Sequence, residues 1–94
     1  MRMLLYSCYD AKAALYGPVY CAPHNTSALR MFGDEITRNH DSLMSKYPGD
    51  FVLYYLGELD MSTGFILSVE QPVFLAAALE FLPSPAADMP AASR

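Results

Sequence analysis

Ninety-four residues, 53% of them hydrophobic and only 17% charged, are enough for one compact domain and too few for two. Charged residues fall below the usual ~25%, which argues against intrinsic disorder of the body. Ten acidic residues against six basic ones leave a net charge of −4, opposite to the excess that a simple electrostatic nucleic-acid binder carries.

The opening Met-Arg-Met-Leu-Leu run breaks at Ser7 and Asp10, too early for the apolar region of a signal peptide. Residues 3–9 instead predict a strand. Leu4, Tyr6 and Cys8 point one way and Met3, Leu5, Ser7 and Tyr9 the other. Both faces are largely apolar or aromatic, which suits a central strand, placed beside residues 51–59. Residues 10–17 turn the chain, and residues 18–22 form a second extended piece. Pro18 and Pro23 confine that piece to an edge, because proline cannot donate to a ladder.

Asn25 or Thr26 caps a helix whose stripe is Ala28, Leu29, Phe32 and Ile36. His24 helps to close its start. Asp34 and Arg38 stand four apart in the favourable order, and Asn39 ends the helix. Gly33 interrupts it at a cost of ~1 kcal/mol relative to alanine, which marks close approach of a neighbouring backbone. A polar connector over residues 40–50 ends in the Pro48-Gly49 turn signal. Residues 51–59 and 65–69 predict a hairpin around a loop at 60–64. Tyr54 and Tyr55 are adjacent and therefore face opposite sides. Gln71-Pro72 breaks the second strand. Residues 73–82 then predict a short helix with Phe74, Leu75, Ala78 and Leu79 as its stripe, the triple alanine favouring helix over strand. From Pro83 onward prolines alternate with alanine and serine in a low-complexity segment.

The expected architecture is α+β: a small antiparallel sheet of three to four strands, one main helix packed on a face, and a short C-terminal helix. Residues 1–82 form the domain and residues 83–94 a Pro/Ala-rich disordered tail. The longest apolar run, at 73–79, is far short of the ~20 residues a membrane helix needs.

Residue chemistry alone assigns no function. Asp34-Glu35 and the Glu58/Asp60 pair read as solvated charges rather than a catalytic dyad. His24 and His40 flank the helix ~22 Å apart, so they share no metal. No nucleophile elbow, P-loop or dinucleotide glycine pattern is present. No enzyme, metal or cofactor is therefore expected. Cys8 and Cys21 lie in no Cys framework, which fits a reducing cytoplasm. They read as two half-buried side chains, with a disulfide between neighbouring strands as the alternative.

Seven tyrosines with five phenylalanines are the one unusual abundance. Tyr6, Tyr9, Tyr16, Tyr20, Tyr54 and Tyr55 fall on or beside predicted strands. Aromatics on an open sheet can stack single-stranded bases. Half-buried sheet positions and oligomer interfaces are the simpler explanation for them. Tyr6, Tyr9, Tyr54 and Tyr55, with Lys12, Arg30 and Arg38 for phosphates, are the candidate nucleic-acid-binding residues.

The segments Arg30-Met31-Phe32-Gly33-Asp34-Glu35, Lys46-Tyr47-Pro48-Gly49-Asp50-Phe51, Leu53-Tyr54-Tyr55-Leu56-Gly57-Glu58-Leu59-Asp60 and Thr63-Gly64-Phe65 occur in ordered spacing. Together with Tyr9-Asp10-Ala11-Lys12-Ala13 and the Asn25-Thr26 start, they closely resemble the small nonstructural protein of gokushoviruses, single-stranded DNA phages of the microvirus group. The resemblance covers roughly residues 3–70. Tyr47 stands where that family often has histidine, and no pattern carries over beyond Val69. The resemblance implies a nonenzymatic accessory protein of viral DNA replication or packaging in the host bacterial cytoplasm. It would act through viral or host proteins, with single-stranded DNA as a further ligand. The alternative is an assembly scaffold or a minor capsid-contact protein. It also implies architectural roles: Gly33 for close packing, Pro48-Gly49-Asp50 for the turn into a strand, Gly57 for a bulge, and Asp60 to Gly64 for the hairpin loop. A small hydrophobic chain with sheet edges to cover predicts a homo-oligomer. No membrane or small-molecule substrate is expected.

Overall fold

The computed structural model describes residues 1–82; the expected tail at 83–94 lies outside them. The alternating run at the N-terminus forms β1 (Arg2–Asp10). It lies inside the sheet, as its two apolar faces require. The long strand β4 (Phe51–Asp60) pairs antiparallel along its whole length, from Arg2↔Asp60 to Asp10↔Phe51. The other side of β1 is shared end to end by β2 (Leu15–Tyr16) and β3 (Tyr20–Ala22). The strand β5 (Ile66–Ala77) closes the sheet beyond β4, giving five strands where three to four were expected. The extra strand is β2. The extended piece predicted at 18–22 shrinks to β3, because Pro18 interrupts the edge.

Helix α1 (Asn25–Arg38) buries Ala28, Phe32, Gly33 and Ile36 against one face of the sheet. Its cap is His24 rather than Asn25 or Thr26. The His24 ring Nδ1 accepts the Ser27 amide at 3.3 Å, which leaves Asn25 free to accept from the Tyr6 hydroxyl below. Asn39 ends the helix as expected. The polar connector contains a one-turn helix α2 (Leu43–Lys46), whose Ser42 cap accepts the Ser45 amide at 3.1 Å. A 3-10 turn at Pro48–Asp50 then delivers the chain into β4.

The short helix expected at 73–82 is not formed. Residues 73–77 belong to β5, and only Ala78–Phe81 turn, as a single 3-10 turn. Gln71-Pro72 does break the ladder. Tyr55 pairs with Val73 and Gly57 with Ser68, so residues 69–72 of β5 arch past Leu56 alone. Pairing then resumes: Phe74 stands opposite Tyr54 and Ala76 opposite Leu53. Contacts across the sheet override the helix preference of the alanines. Gly33 does meet a close neighbour, but it is a side chain and not a backbone. A Cβ there would lie 2.8 Å from the Phe81 ring, which also stands edge-on to Phe32.

The core therefore lies between α1 and the middle of the sheet: Tyr6, Phe32, Ile36, Leu53, Ala22, Ala28, Ala76 and Ala78. The molecule measures 55 × 28 × 24 Å, because the hairpin of β4 and β5, with the start of β1, runs on past the helix. No helix among the described residues is long and apolar enough to cross a membrane.

Candidate contact surface on the open sheet face

The period of two in β1 and β4 divides the tyrosines between the two faces of the sheet. Tyr6 and Tyr55 point under α1. Tyr6 is fully buried, and its ring lies 5.9 Å from Tyr55 and 5.8 Å from Tyr20. Burial, and secondarily Tyr55, pushes its hydroxyl pKa up. Tyr20 is raised as well, by burial first and then by Cys8 and Tyr6. These tyrosines are core and interface to the helix. As folded, Tyr6 offers no ring face to a base.

Tyr9 and Tyr54 point the other way, and the fold adds two rings that the candidate set lacked. Tyr16 on β2 stands opposite Tyr9 in the register, with ring centres 4.9 Å apart. Tyr16 and Tyr54 follow at 5.6 Å, and Tyr54 and Phe74 at 6.4 Å. Four aromatic rings from β1, β2, β4 and β5 thus form one row across the sheet, on the face opposite α1. Phe74 is 54% exposed and Tyr16 is also exposed. Crowding raises the Tyr16 hydroxyl, lost hydration first and then its neighbours Tyr54 and Tyr9. Beneath the row, Ser7 is fully buried and donates to the Gly17 carbonyl at 2.8 Å. Parity along the strands was the available signal for this division. Phe74 was hidden because residues 73–82 read as helix.

Successive rings are tilted by 58°, 64° and 82°. Tyr16 with Tyr54 and Tyr54 with Phe74 meet edge to face, the favourable aromatic arrangement, and Tyr9 and Tyr16 are tilted against each other. The layer is therefore a ridged aromatic surface, not a set of parallel plates.

The candidate cations do not gather on it. Arg30 and Arg38 lie on the outward side of α1, across the sheet from the aromatic row, and Arg38 Nε stands 3.6 Å from Asp34 Oδ1. Lys12 sits in the turn after β1, lining a cleft of about 210 Å³ with the carboxylates of Asp10 and Asp50 and with Leu43, Tyr47 and Phe51. Arg2 is paired with Glu58 at 3.0 Å.

The cysteines are apart and free. Cys8 is half-buried on the helix side, 3.7 Å from the Met44 sulfur, and Cys21 is exposed on β3 opposite Leu5. Burial, with Glu35 second, pushes the Cys8 thiol up to about 11. It is protonated at neutral pH and correspondingly unreactive. Cys21 departs from the half-buried expectation because β3 is a short edge strand. No group of three or more His, Cys, Asp or Glu converges among the described residues.

The far end of the hairpin is a second exposed apolar region, carrying Phe65, Ile66 and Leu67. Gly57 is what lets β4 and β5 approach each other there. Its φ is 152°, and a Cβ would fall 2.1 Å from the Leu67 carbonyl oxygen. At the tip, Asp60 Oδ1 accepts the amides of Ser62 and Thr63 at 2.9 and 3.3 Å. Those two bonds are the main reason that the Asp60 carboxyl lies below its ordinary value.

The family model described as Phage ORF5 protein matches residues 3–81. The match reaches past residue 70 to include the arch, Phe74 and the 3-10 turn. Protein ORF5 of Chlamydia phage 1 is 35% identical over 74 residues, covering 74% of this chain and 76% of that protein. No solved structure matches. The aromatic row and the Gly57 junction are thus features of a chain that belongs to the Phage ORF5 protein family of gokushoviruses.

Proposed function

We propose that this protein is a nonenzymatic accessory factor that assists replication or packaging of the phage's single-stranded DNA, and that it acts by contact with viral or host proteins in the host cytoplasm. The observation that carries the reading is the aromatic row of Tyr9, Tyr16, Tyr54 and Phe74 on the face that α1 leaves open. Clustered, partly exposed aromatic rings, three of them tyrosines, are the composition of a protein-binding hot spot. Direct binding of single-stranded DNA is the weaker form of the reading. The rings are engaged with one another at steep angles, Arg30 and Arg38 lie across the sheet, and the net charge is −4.

The test uses a phage genome carrying Phe74→Asp, a change at an exposed ring. The expected result is loss of progeny single-stranded DNA while the double-stranded replicative form persists and the variant protein still melts cooperatively. Normal progeny DNA would overturn the proposal. Protein recovered at stoichiometric level in purified virions would replace it with the scaffold or capsid-contact alternative. In parallel, a labelled single-stranded oligonucleotide is titrated across a salt series. Weak or absent binding at low salt is expected. Tight binding with a steep salt slope, lost in Tyr54→Ala, would make the DNA itself the ligand.

A further inference from the structure

We propose that the free edge of β5, at the far end of the hairpin, pairs with the same edge of a second copy of this chain, antiparallel and symmetric about Leu67. The inference is independent of the functional reading above.

Among the described residues, nothing pairs with the outer side of β5. The phase of its backbone follows from the hairpin. The Asp60 amide donates to the Phe65 carbonyl at 2.9 Å, and the Leu67 carbonyl lies against Gly57. Hydrogen-bonded and non-bonded positions alternate along an antiparallel pair. The Phe65 carbonyl and the backbone groups of Leu67 therefore face β4, the Phe65 N–H donates to the Thr63 hydroxyl at 3.2 Å, and the N–H and C=O of Ile66 and Ser68 point out. An open edge of this kind is a template for another strand.

Symmetric pairing about Leu67 sets Ile66 against Ser68 of the partner and Ser68 against Ile66 of the partner, so every outward group is satisfied. Leu67 meets Leu67 of the partner across a non-bonded position, where side chains approach closest. Phe65 meets Val69 of the partner, on the same face as the leucine pair. Phe65 is 74% and Leu67 63% exposed in the single chain, and both gain cover. No charged residue lies within residues 65–69. The nearest acid on that face is Glu58, already paired with Arg2. In the pair the two Glu58 side chains stand on β4 strands ~14 Å apart, three strand spacings.

Neighbouring registers fit less well. A two-fold through Ile66 runs Val69 against Thr63 and Ser68 against Gly64. A two-fold through Ser68 sets the Glu70 carboxylate against Ile66. The arch begins at Val69, the last residue that the seam can use, so the seam spans only residues 65–69. A seam this short is weak, and dissociation in the micromolar range is expected.

The experiment is sedimentation equilibrium of the full chain at tens of micromolar, with three variants. The wild-type protein is expected at twice its 10.4 kDa chain mass. Leu67→Lys places like charges face to face on the two-fold and is expected to return it to a single chain, with its melting curve unchanged at dilution because Leu67 is surface. In a Cys21→Ser background, Leu67→Cys is expected to oxidise to a covalent dimer and Ile66→Cys is not, since only position 67 faces itself. A wild-type monomer, a dimer that survives Leu67→Lys, or equal cross-linking at 66 and 67 would each overturn the proposal. So would a monomer that dimerises only after residues 83–94 are removed, which would assign the edge to that segment.

Discussion

The strands β1, β4 and β5 run through two regions that differ in what covers them. Where α1 and the 3-10 turn at Ala78–Phe81 lie over the sheet, Leu53 on β4 is 0% exposed. In the hairpin beyond, Leu67 on the next strand is 63% exposed. The residue type is the same, and so are the antiparallel pairing and the alternation. Burial is decided by the element laid across the strand, not by the strand. The covered region is held by packing, the arm by its ladder, its Asx turn and Gly57.

The sharpest test of that contrast uses two phenylalanines. Phe32 is 2% exposed under the sheet and Phe65 is 74% exposed on the arm. Phe32→Ala is expected to cost about 4 kcal/mol of unfolding free energy, through lost burial and the cavity left behind. Phe65→Ala, at dilution where chains are single, is expected to cost less than ~1 kcal/mol. Urea titrations of both variants measure the difference, and similar losses would break the division between the regions.

Gly57 joins the two. Gly57→Ala imposes a positive φ on alanine and drives a Cβ into the Leu67 carbonyl. The expected cost is about 3 kcal/mol. Hydrogen exchange is expected to show amides of residues 58–67 opening before those of residues 51–55. Uniform loss of protection would mean that the arm and the covered sheet open as one unit.

The smallest effect belongs to the tip. The Asp60 carboxyl is lowered below 3.8, chiefly by the Ser62 and Thr63 amides. A depressed native pKa contributes stability that is complete above the ordinary carboxyl value and is lost as pH falls through the native one. Exchange protection at the tip is therefore expected to be constant down to about pH 4 and to fall only in stronger acid. Asp60→Asn is expected to flatten that dependence. A decline already visible between neutrality and pH 5 would contradict the loop geometry.

The hairpin and α1 were legible because their ends carry chemistry that works locally: Pro48-Gly49, Asp60 to Gly64, and the stripe Ala28, Phe32, Ile36. Residues 73–77 were not, because local preference and long-range pairing disagree there. Ala76, Ala77 and Ala78 favour helix by themselves, yet Ala76 is needed small, extended and buried opposite Leu53. The contact surface was half legible. Strand parity separates Tyr9 from Tyr6 and Tyr54 from Tyr55. Which parity the helix would cover depends on where α1 lands, and no single residue announces it. Tyr16 entered the aromatic row through β2, a two-residue strand too short to carry an alternation signal.

The arch of β5 past Leu56 has a consequence for how this chain can change length. Residues 69–72 hang between two ladders that are each registered independently, one by the hairpin tip and the other by Phe74 and Ala76. Adding or deleting a residue within a continuous strand flips every side chain beyond it to the wrong face. Within the arch the mismatch is absorbed before the next pair forms. Glu70, Gln71 and Pro72 are exposed, and an epitope tag or a short insertion there is expected to leave the pairing on either side in place.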